Sequence, residues 1–271
     1  MLNKKVALYN GVEIPVVGLG TWQIPDAVAE GAVRDAIETG YRHIDTAAAY
    51  ENESGIGRGI KANGIAREKL FITSKVPAEY KTYELAKNTI EESLRLLDAE
   101  YIDLMLIHAP RPWDEMNESC TKTYHEENIA VWRAFEESYE EGKLRAIGVS
   151  NFSVADLKHL MAHSRIKPMV NQVRCFIGTV PFDVLEYCLE NGIIAEAYSP
   201  IATGALLKDK KISDIAKKYG VSIPRLCVRY VLQLGAVVLP KTTHKEFMVE
   251  NSRLDFKISA DDMELLKGFR F

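Results

Sequence analysis

Eight short apolar runs, each followed by a longer amphipathic stretch, constrain this chain more than any other feature. The β-rich runs fall at residues 16–19, 41–45, 71–75, 102–107, 146–149, 169–173, 193–198 and 236–239. Helical spacing occupies 27–39, 52–63, 82–97, 128–141, 154–163, 181–191, 223–234 and 245–251. In 82–97, for instance, Leu85, Ile90, Leu94 and Leu97 recur at the period of one helix face. Gly40 ends 27–39 where a left-handed residue closes a helix. Strands alternating with helices pair in parallel through right-handed crossovers. Eight such units in 271 residues predict an α/β fold, a (β/α)8 TIM barrel, as a single domain over 1–271 with an N-terminal β-hairpin over 6–14. A doubly wound sheet needs fewer strands or more chain. No linker or low-complexity segment interrupts the pattern. One long polar connection, 110–127, follows the fourth strand, and loops of that length tend to be lids or binding loops.

Charge and cysteines narrow the partners. With 34 Lys+Arg against 38 Asp+Glu the formal charge is −4, which lacks the basic excess a nucleic-acid binder needs. No run of about 18 apolar residues exists, so no membrane span is expected. The first eight residues are too short for the apolar stretch of a signal peptide. Cys120, Cys175, Cys188 and Cys227 lack metal-ligand or disulfide-scaffold spacing and read as reduced thiols of a cytoplasmic protein.

In a barrel the reactive residues sit at the C-terminal ends of the strands. Strand two ends at Asp45, strand three at Lys75 and strand four at His108; strand six ends at Asn171-Gln172 and strand eight runs into Lys241. Tyr50 lies five residues beyond Asp45. Each has a plainer reading: Asp45 as a helix cap, Lys75 as a solvated lysine, His108 as a core histidine, Tyr50 as a packing residue. Their convergence on one rim weighs against all four plain readings at once. A metal is not expected, because His108 and Asp45 lack a third ligand. As a group they suit proton donation. A tyrosine, ordinarily titrating near ~10, is a weak acid at neutral pH. A neighbouring ammonium lowers that value by favouring the phenolate. Asp45 would keep Lys75 charged, and His108 would polarise a substrate oxygen while Tyr50 protonates it. Such a site suits hydride addition to a carbonyl, whose alkoxide needs that proton.

The chain resembles the aldo-keto reductase family, in its prokaryotic form, over nearly its whole length. The resemblance is carried by Gly18-Leu-Gly-Thr-Trp22, Gly40-Tyr-Arg-His-Ile-Asp-Thr46 with Tyr50-Glu-Asn-Glu53, Ile72-Thr-Ser-Lys75 and Leu106-Ile-His108. It continues through Gly142-Lys-Leu-Arg-Ala-Ile-Gly-Val-Ser-Asn-Phe152, Asn171-Gln172, Tyr198-Ser-Pro200 and Leu239-Pro-Lys241, ending in Glu250-Asn251. The resemblance implies Tyr50 as general acid, tuned by Lys75 and Asp45, with His108 directing the substrate. It implies NADP(H) lying across the rim without a dinucleotide-binding domain. No Gly-x-Gly-x-x-Gly opens a helix after a strand, and Gly55-Ile-Gly-Arg-Gly59 has the wrong spacing inside a helix. By the same resemblance Thr21 and Asp45 border the cofactor, Ser150, Asn151 and Gln172 hold its carboxamide, and Tyr198 stacks on its ring. Ser199, Pro200 and Ile201 line the pyrophosphate path, Lys241 and Thr242 meet the 2′-phosphate, and Glu250 and Asn251 meet the adenine. Ser150-Asn151-Phe152 also reads plainly as a strand exit and helix cap.

Three departures from the family pattern stand out. Phe247 occupies the place of an arginine that grips the adenosine phosphate, and an apolar ring offers no bidentate fork. NADPH is therefore expected with a reduced preference over NADH. Pro77 and Ala109 replace two tryptophans of the substrate pocket, and the chain ends at Phe271 with a short tail. Trp22, Pro77, Ala109 and Trp113, with Tyr50 and His108, are expected to bound an open pocket for a small carbonyl or alcohol. The family's commonest habit is monomeric. The alternative is a nucleotide-binding, non-catalytic or sensor-like member, against which all four catalytic positions are filled.

Overall fold

Residues 1–117 and 121–270 are described by the computed structural model. Strands β1 (Lys5–Ala7) and β2 (Glu13–Pro15) form an antiparallel hairpin, with Val6 opposite Ile14. Eight parallel strands follow: β3 (Leu19–Gly20), β4 (His43–Asp45), β5 (Phe71–Val76), β6 (Leu104–Ile107), β7 (Ile147–Ser150), β8 (Val170–Arg174), β9 (Ile194–Tyr198) and β10 (Val237–Leu239). Each pairs with its sequence neighbours. The sheet closes where Gly18 N donates to Val238 O at 3.0 Å, Val238 N to Val16 O at 3.0 Å, and Gly20 N to Pro240 O at 3.1 Å. This is the (β/α)8 barrel. Its strands are buried on both faces, so β5, β6 and β7 read as continuous runs rather than alternations.

Helices α1 (Asp26–Thr39), α2 (Glu53–Asn63), α3 (Tyr83–Leu97), α4 (His125–Glu140), α5 (Val154–His163) and α6 (Phe182–Glu190) wrap the barrel. Gly40 adopts φ 108° at the end of α1. On α3 the buried stripe runs through Ala86, Ile90, Leu94 and Leu97, whereas Leu85, expected within it, is exposed. The α3 cap places Leu85 in the first turn, where its N–H donates to the Thr82 hydroxyl and its side chain faces solvent. The Gly55–Gly59 segment is a packing device. A Cβ at Gly55 would stand 2.3 Å from Asp26 O, one at Gly57 2.8 Å from Leu96 O, and one at Gly59 2.8 Å from Glu30 O. Only glycine lets α2 approach α1 and α3 this closely.

Two helices lie outside the eight expected: α7 (Lys210–Lys218), before α8 (Ile223–Gln233) and α9 (Lys245–Ser252), and α10 (Ala260–Lys267). Asp209 and Ser259 cap them through side-chain bonds to Ile212 N and Asp262 N, and Lys218 Nζ reaches Asp262 at 2.7 Å. Helix α7 buries only Ile212 and Ala216, too thin a stripe to stand out in its lysine-rich sequence.

The 110–127 connection holds a 3-10 turn, Trp113–Glu115, and passes into α4 at His125, three residues before the expected start. Of the four cysteines, Cys175, Cys188 and Cys227 are buried free thiols, while Cys120 lies outside the described residues. Among the described residues no helix is long and apolar enough to cross a membrane, and no cluster of metal-ligating side chains occurs.

Candidate active site

Asp45 ends β4 and Lys75 lies near the end of β5, both turned into the barrel. Lys75 Nζ donates to Asp45 Oδ1 and Oδ2 and to Thr46 O, each at 2.8 Å. All three ammonium hydrogens are thereby used. Neither side chain is more than 5% exposed, so the pair is held in a low dielectric. Burial alone would discharge Lys75; Asp45 first, with Tyr50 and Glu196, outweighs it and holds the ammonium charged.

Tyr50 comes from a 3-10 turn, Ala48–Tyr50, directly after β4. Its hydroxyl stands 3.4 Å from His108 Nε2, and Lys75 Nζ lies 5.1 Å from its ring centroid. Burial pushes the phenol above its ordinary value, and Lys75 pulls against that without reversing it. The lowered tyrosine expected from the ammonium is therefore corrected: desolvation wins in the free enzyme. His108 is buried, and burial, then Lys75, press its imidazole down to about 3, so it is neutral at pH 7. Its Nδ1 has no partner among the described residues.

A polar layer underlies these four. Gln172 Nε2 donates to Asp45 Oδ2 at 2.8 Å and to Glu196 Oε2 at 2.6 Å. Glu196 is fully buried, and desolvation followed by Asp45 drives its carboxyl far above the usual range. Its Oε1 lies 3.6 Å from His43 Nε2. Asn52, from the start of α2, donates to Thr21 O and Ile24 O and accepts from the Thr46 hydroxyl. Lys81 Nζ donates to Ala109 O at 2.7 Å and Asn128 Oδ1 at 2.9 Å, and Asn128 Nδ2 to Pro110 O at 2.8 Å. The two carbonyls after His108 are thus clamped. Burial lowers the Lys81 ammonium to about 7. Sequence reading missed Glu196, His43, Asn52 and Lys81. For Glu196 a signal existed: a carboxylate between apolar neighbours in Ile194-Ala-Glu-Ala197.

The expected cofactor residues lie at or just beyond the ends of neighbouring strands, β7 to β10, β3 and β4, with Glu250 and Asn251 on α9. Thr21 accompanies Asp45, its hydroxyl donating to Asp45 O at 2.9 Å. Ser150 Oγ donates to Gln172 O at 2.9 Å, and Asn151, left-handed at φ 61°, donates from Nδ2 to His108 O at 3.0 Å. Tyr198 OH donates to Asn151 Oδ1 at 2.9 Å. Beyond it Ser199, Ala202, Thr203 and Gly204 take positive φ around Pro200 and Ile201, an irregular turn held by Ala202 N donating to Ser199 O at 2.8 Å and Gly204 N to Ile201 O at 3.0 Å. Lys241 is exposed and has no carboxylate partner among the described residues, Thr242 accepts from His244 N, and Glu250 and Asn251 sit on α9. The Lys241 ammonium, unpaired with any described carboxylate, and the Thr242 hydroxyl suit a phosphate group at that end of the rim. Lys245 is already engaged, by Glu38 at 2.5 Å and Asp35 at 3.4 Å. Phe247 is 49% exposed, its ring edge-on to His244.

The expected pocket residues divide. Trp22 is exposed at the rim, and Trp113 meets the His108 ring edge-on with centroids 5.2 Å apart. Pro77 and Ala109 are buried and present little surface to a ligand. The reason is the clamp on Ala109 O and the turn that folds Trp113 back over His108.

A model of the aldo/keto reductase family matches residues 16–270. The chain belongs to the aldo/keto reductase family. It is 42% identical over 265 residues to a glyoxal reductase of Bacillus subtilis, a match covering 97% of this chain and 91% of that one. An aldo-keto reductase from a deep-sea metagenome superposes with a TM-score of 0.90 at 38% identity, covering 98% of this chain and 95% of that one. A Bombyx mori aldo-keto reductase solved in complex with NADP superposes with a TM-score of 0.87 at 31% identity, covering 98% and 92%. As an aldo/keto reductase this protein is an oxidoreductase acting on carbonyl groups, and NADP(H) is its cofactor.

Proposed function

We propose that this aldo/keto reductase converts small aldehydes and ketones to alcohols, reversibly, with Tyr50 as proton donor and Asp45, Lys75 and His108 as its support. One observation carries the reading: a fully satisfied, buried Lys75–Asp45 pair stands beneath a tyrosine that faces a neutral histidine. Bound NADPH supplies the hydride. Burial keeps the Tyr50 hydroxyl protonated at neutral pH, so the proton is in place before it is needed. The phenolate left behind is stabilised by the Lys75 ammonium, which Asp45 keeps charged and in register. With its proton on Nε2, the uncharged His108 donates a hydrogen bond to the carbonyl oxygen without competing as a proton source. Ser150, Asn151 and Gln172 would hold the carboxamide and Tyr198 the nicotinamide ring. Lys241 and Thr242 would receive the 2′-phosphate, and Glu250 and Asn251 the adenine.

Loss of NADPH absorbance on mixing with glyoxal, methylglyoxal and simple aldehydes tests the reading. Turnover is expected; binding of NADPH with no consumption across the panel would leave a nucleotide-binding module in its place.

A further inference from the structure

Strand β8 ends in a residue that the reductase reading does not use. Gln172 points into the barrel at Asp45, and side chains two apart on a strand share a face, so Arg174 stands above Gln172 at the mouth. Arg174 lies in register with Tyr198, and Cys175 N donates to Tyr198 O at 3.4 Å. The Tyr198 phenol, raised first by its own burial, is drawn down by Arg174 and pushed up by Tyr50. The guanidinium is exposed, packs 5.1 Å from the Phe176 ring, and has no carboxylate within ion-pair distance among the described residues.

Beside it opens a cleft of about 360 Å³ between the loop after β8 and the end of α10. Arg174, Thr179, Phe182, Lys267, Phe269 and Arg270 line it, and among the described residues no acidic side chain does. Lys267 is already paired with Glu264 at 2.7 Å. Arg270 spends Nη1 on the carbonyls of Lys267 and Phe269 and is otherwise unpaired with any described carboxylate. Two guanidinium groups therefore line a cleft free of acidic side chains among the described residues, with apolar Phe182 and Phe269 as walls, and Arg174 joins it to the barrel rim. Arginine forks match carboxylate and phosphate oxygens bidentately.

We propose that this cleft is an anion subsite of the active site, in which Arg174 receives the carboxylate of a carbonyl substrate while the carbonyl lies at Tyr50 and His108. The inference rests on the reductase reading and adds the substrate class: aldehydes or ketones carrying a carboxylate on an extended limb. Arg174 is a specificity-determining residue and takes no part in the proton transfer.

Succinic semialdehyde with butanal, and 4-carboxybenzaldehyde with benzaldehyde, provide matched anionic and neutral substrates for the wild type, Arg174→Gln and Arg174→Glu. In Arg174→Gln, KM for the anionic member of each pair should rise about tenfold or more, and further in Arg174→Glu, with kcat changed less. KM for the neutral members and the NADPH dissociation constant, read by fluorescence quenching, should move less than about twofold. An equal rise for neutral and anionic substrates overturns the proposal. So does weakened NADPH binding with no discrimination between them, which would place Arg174 on the cofactor phosphates. Calorimetric titration of the NADP+ complex with 4-carboxybenzyl alcohol needs no turnover, so it separates this proposal from the reductase reading. Binding abolished by Arg174→Gln supports the subsite; no binding, or equal binding by both proteins, removes it.

Discussion

Gln172 Nε2 lies 2.8 Å from Asp45 Oδ2, joining residues 127 positions apart across the barrel. Through that bond the residue expected to meet the carboxamide is tied to the carboxylate that holds Lys75. Cofactor placement and the charge beneath Tyr50 are thereby parts of one hydrogen-bonded unit, continued to Glu196.

Replacing Tyr50 with phenylalanine removes the proton donor, whose hydroxyl stands 3.4 Å from His108 Nε2 and also interacts with Lys75, and keeps the ring. Turnover should fall by about 10²-fold or more while NADPH still quenches protein fluorescence. Retained turnover would end the assignment of Tyr50 as general acid.

The Lys75–Asp45 pair has a distinct stability fingerprint because both charges are buried. Lys75→Met alone strands the Asp45 carboxylate and should cost about 3–5 kcal/mol in urea unfolding. Adding Asp45→Asn should recover part of that loss, and the double-mutant cycle measures how much. Additive losses would mean that the pair is not energetically coupled.

Glu196 predicts a pH dependence. Its folded pKa lies above the unfolded value, so the folded state holds its proton through pH values where the unfolded chain has released it. Stability from this group is present below the unfolded pKa of about 4.5 and is lost as pH rises toward the folded pKa. Glu196→Gln should flatten that decline, whose slope is at most about 1.4 kcal/mol per pH unit. Chemical unfolding of both proteins at stepped pH from 5 to about 8 reads it out; parallel curves would place the titration elsewhere.

Phe247→Arg should restore a phosphate partner near Lys241, because residue 247 is exposed on the face of α9 that begins beside Thr242 and His244. The ratio of kcat/KM for NADPH over NADH should rise about tenfold. An unchanged ratio would show that residue 247 faces away from the 2′-phosphate.

Much of this protein is written in local sequence. The eight alternations declare the barrel because a strand buried on both faces must be apolar throughout, as β6 is, and an amphipathic helix must repeat its stripe. Asp45, Lys75 and His108 were legible for the same reason: a polar residue that ends an apolar strand has to be justified by something other than solvent. Trp113 against His108 was only a suggestion in the sequence, since a long connection carries no periodicity to fix where it folds. Helices α7 and α10 escaped because their packing stripes are short and their stability comes from caps and the Lys218–Asp262 pair.

Tertiary structure alone decided the electrostatics. Whether Tyr50 titrates above or below its ordinary value depends on how far burial outweighs one ammonium, and no spacing reports that balance. The same holds for Glu196, whose partners Gln172 and Asp45 lie on other strands. Arg174 is an unremarkable cation in sequence, and only barrel closure sets it over the mouth beside Arg270. Sequence specifies periodic burial, which is a local property. Charge balance in a closed barrel is a sum over distant strands, and exists only once they are brought together.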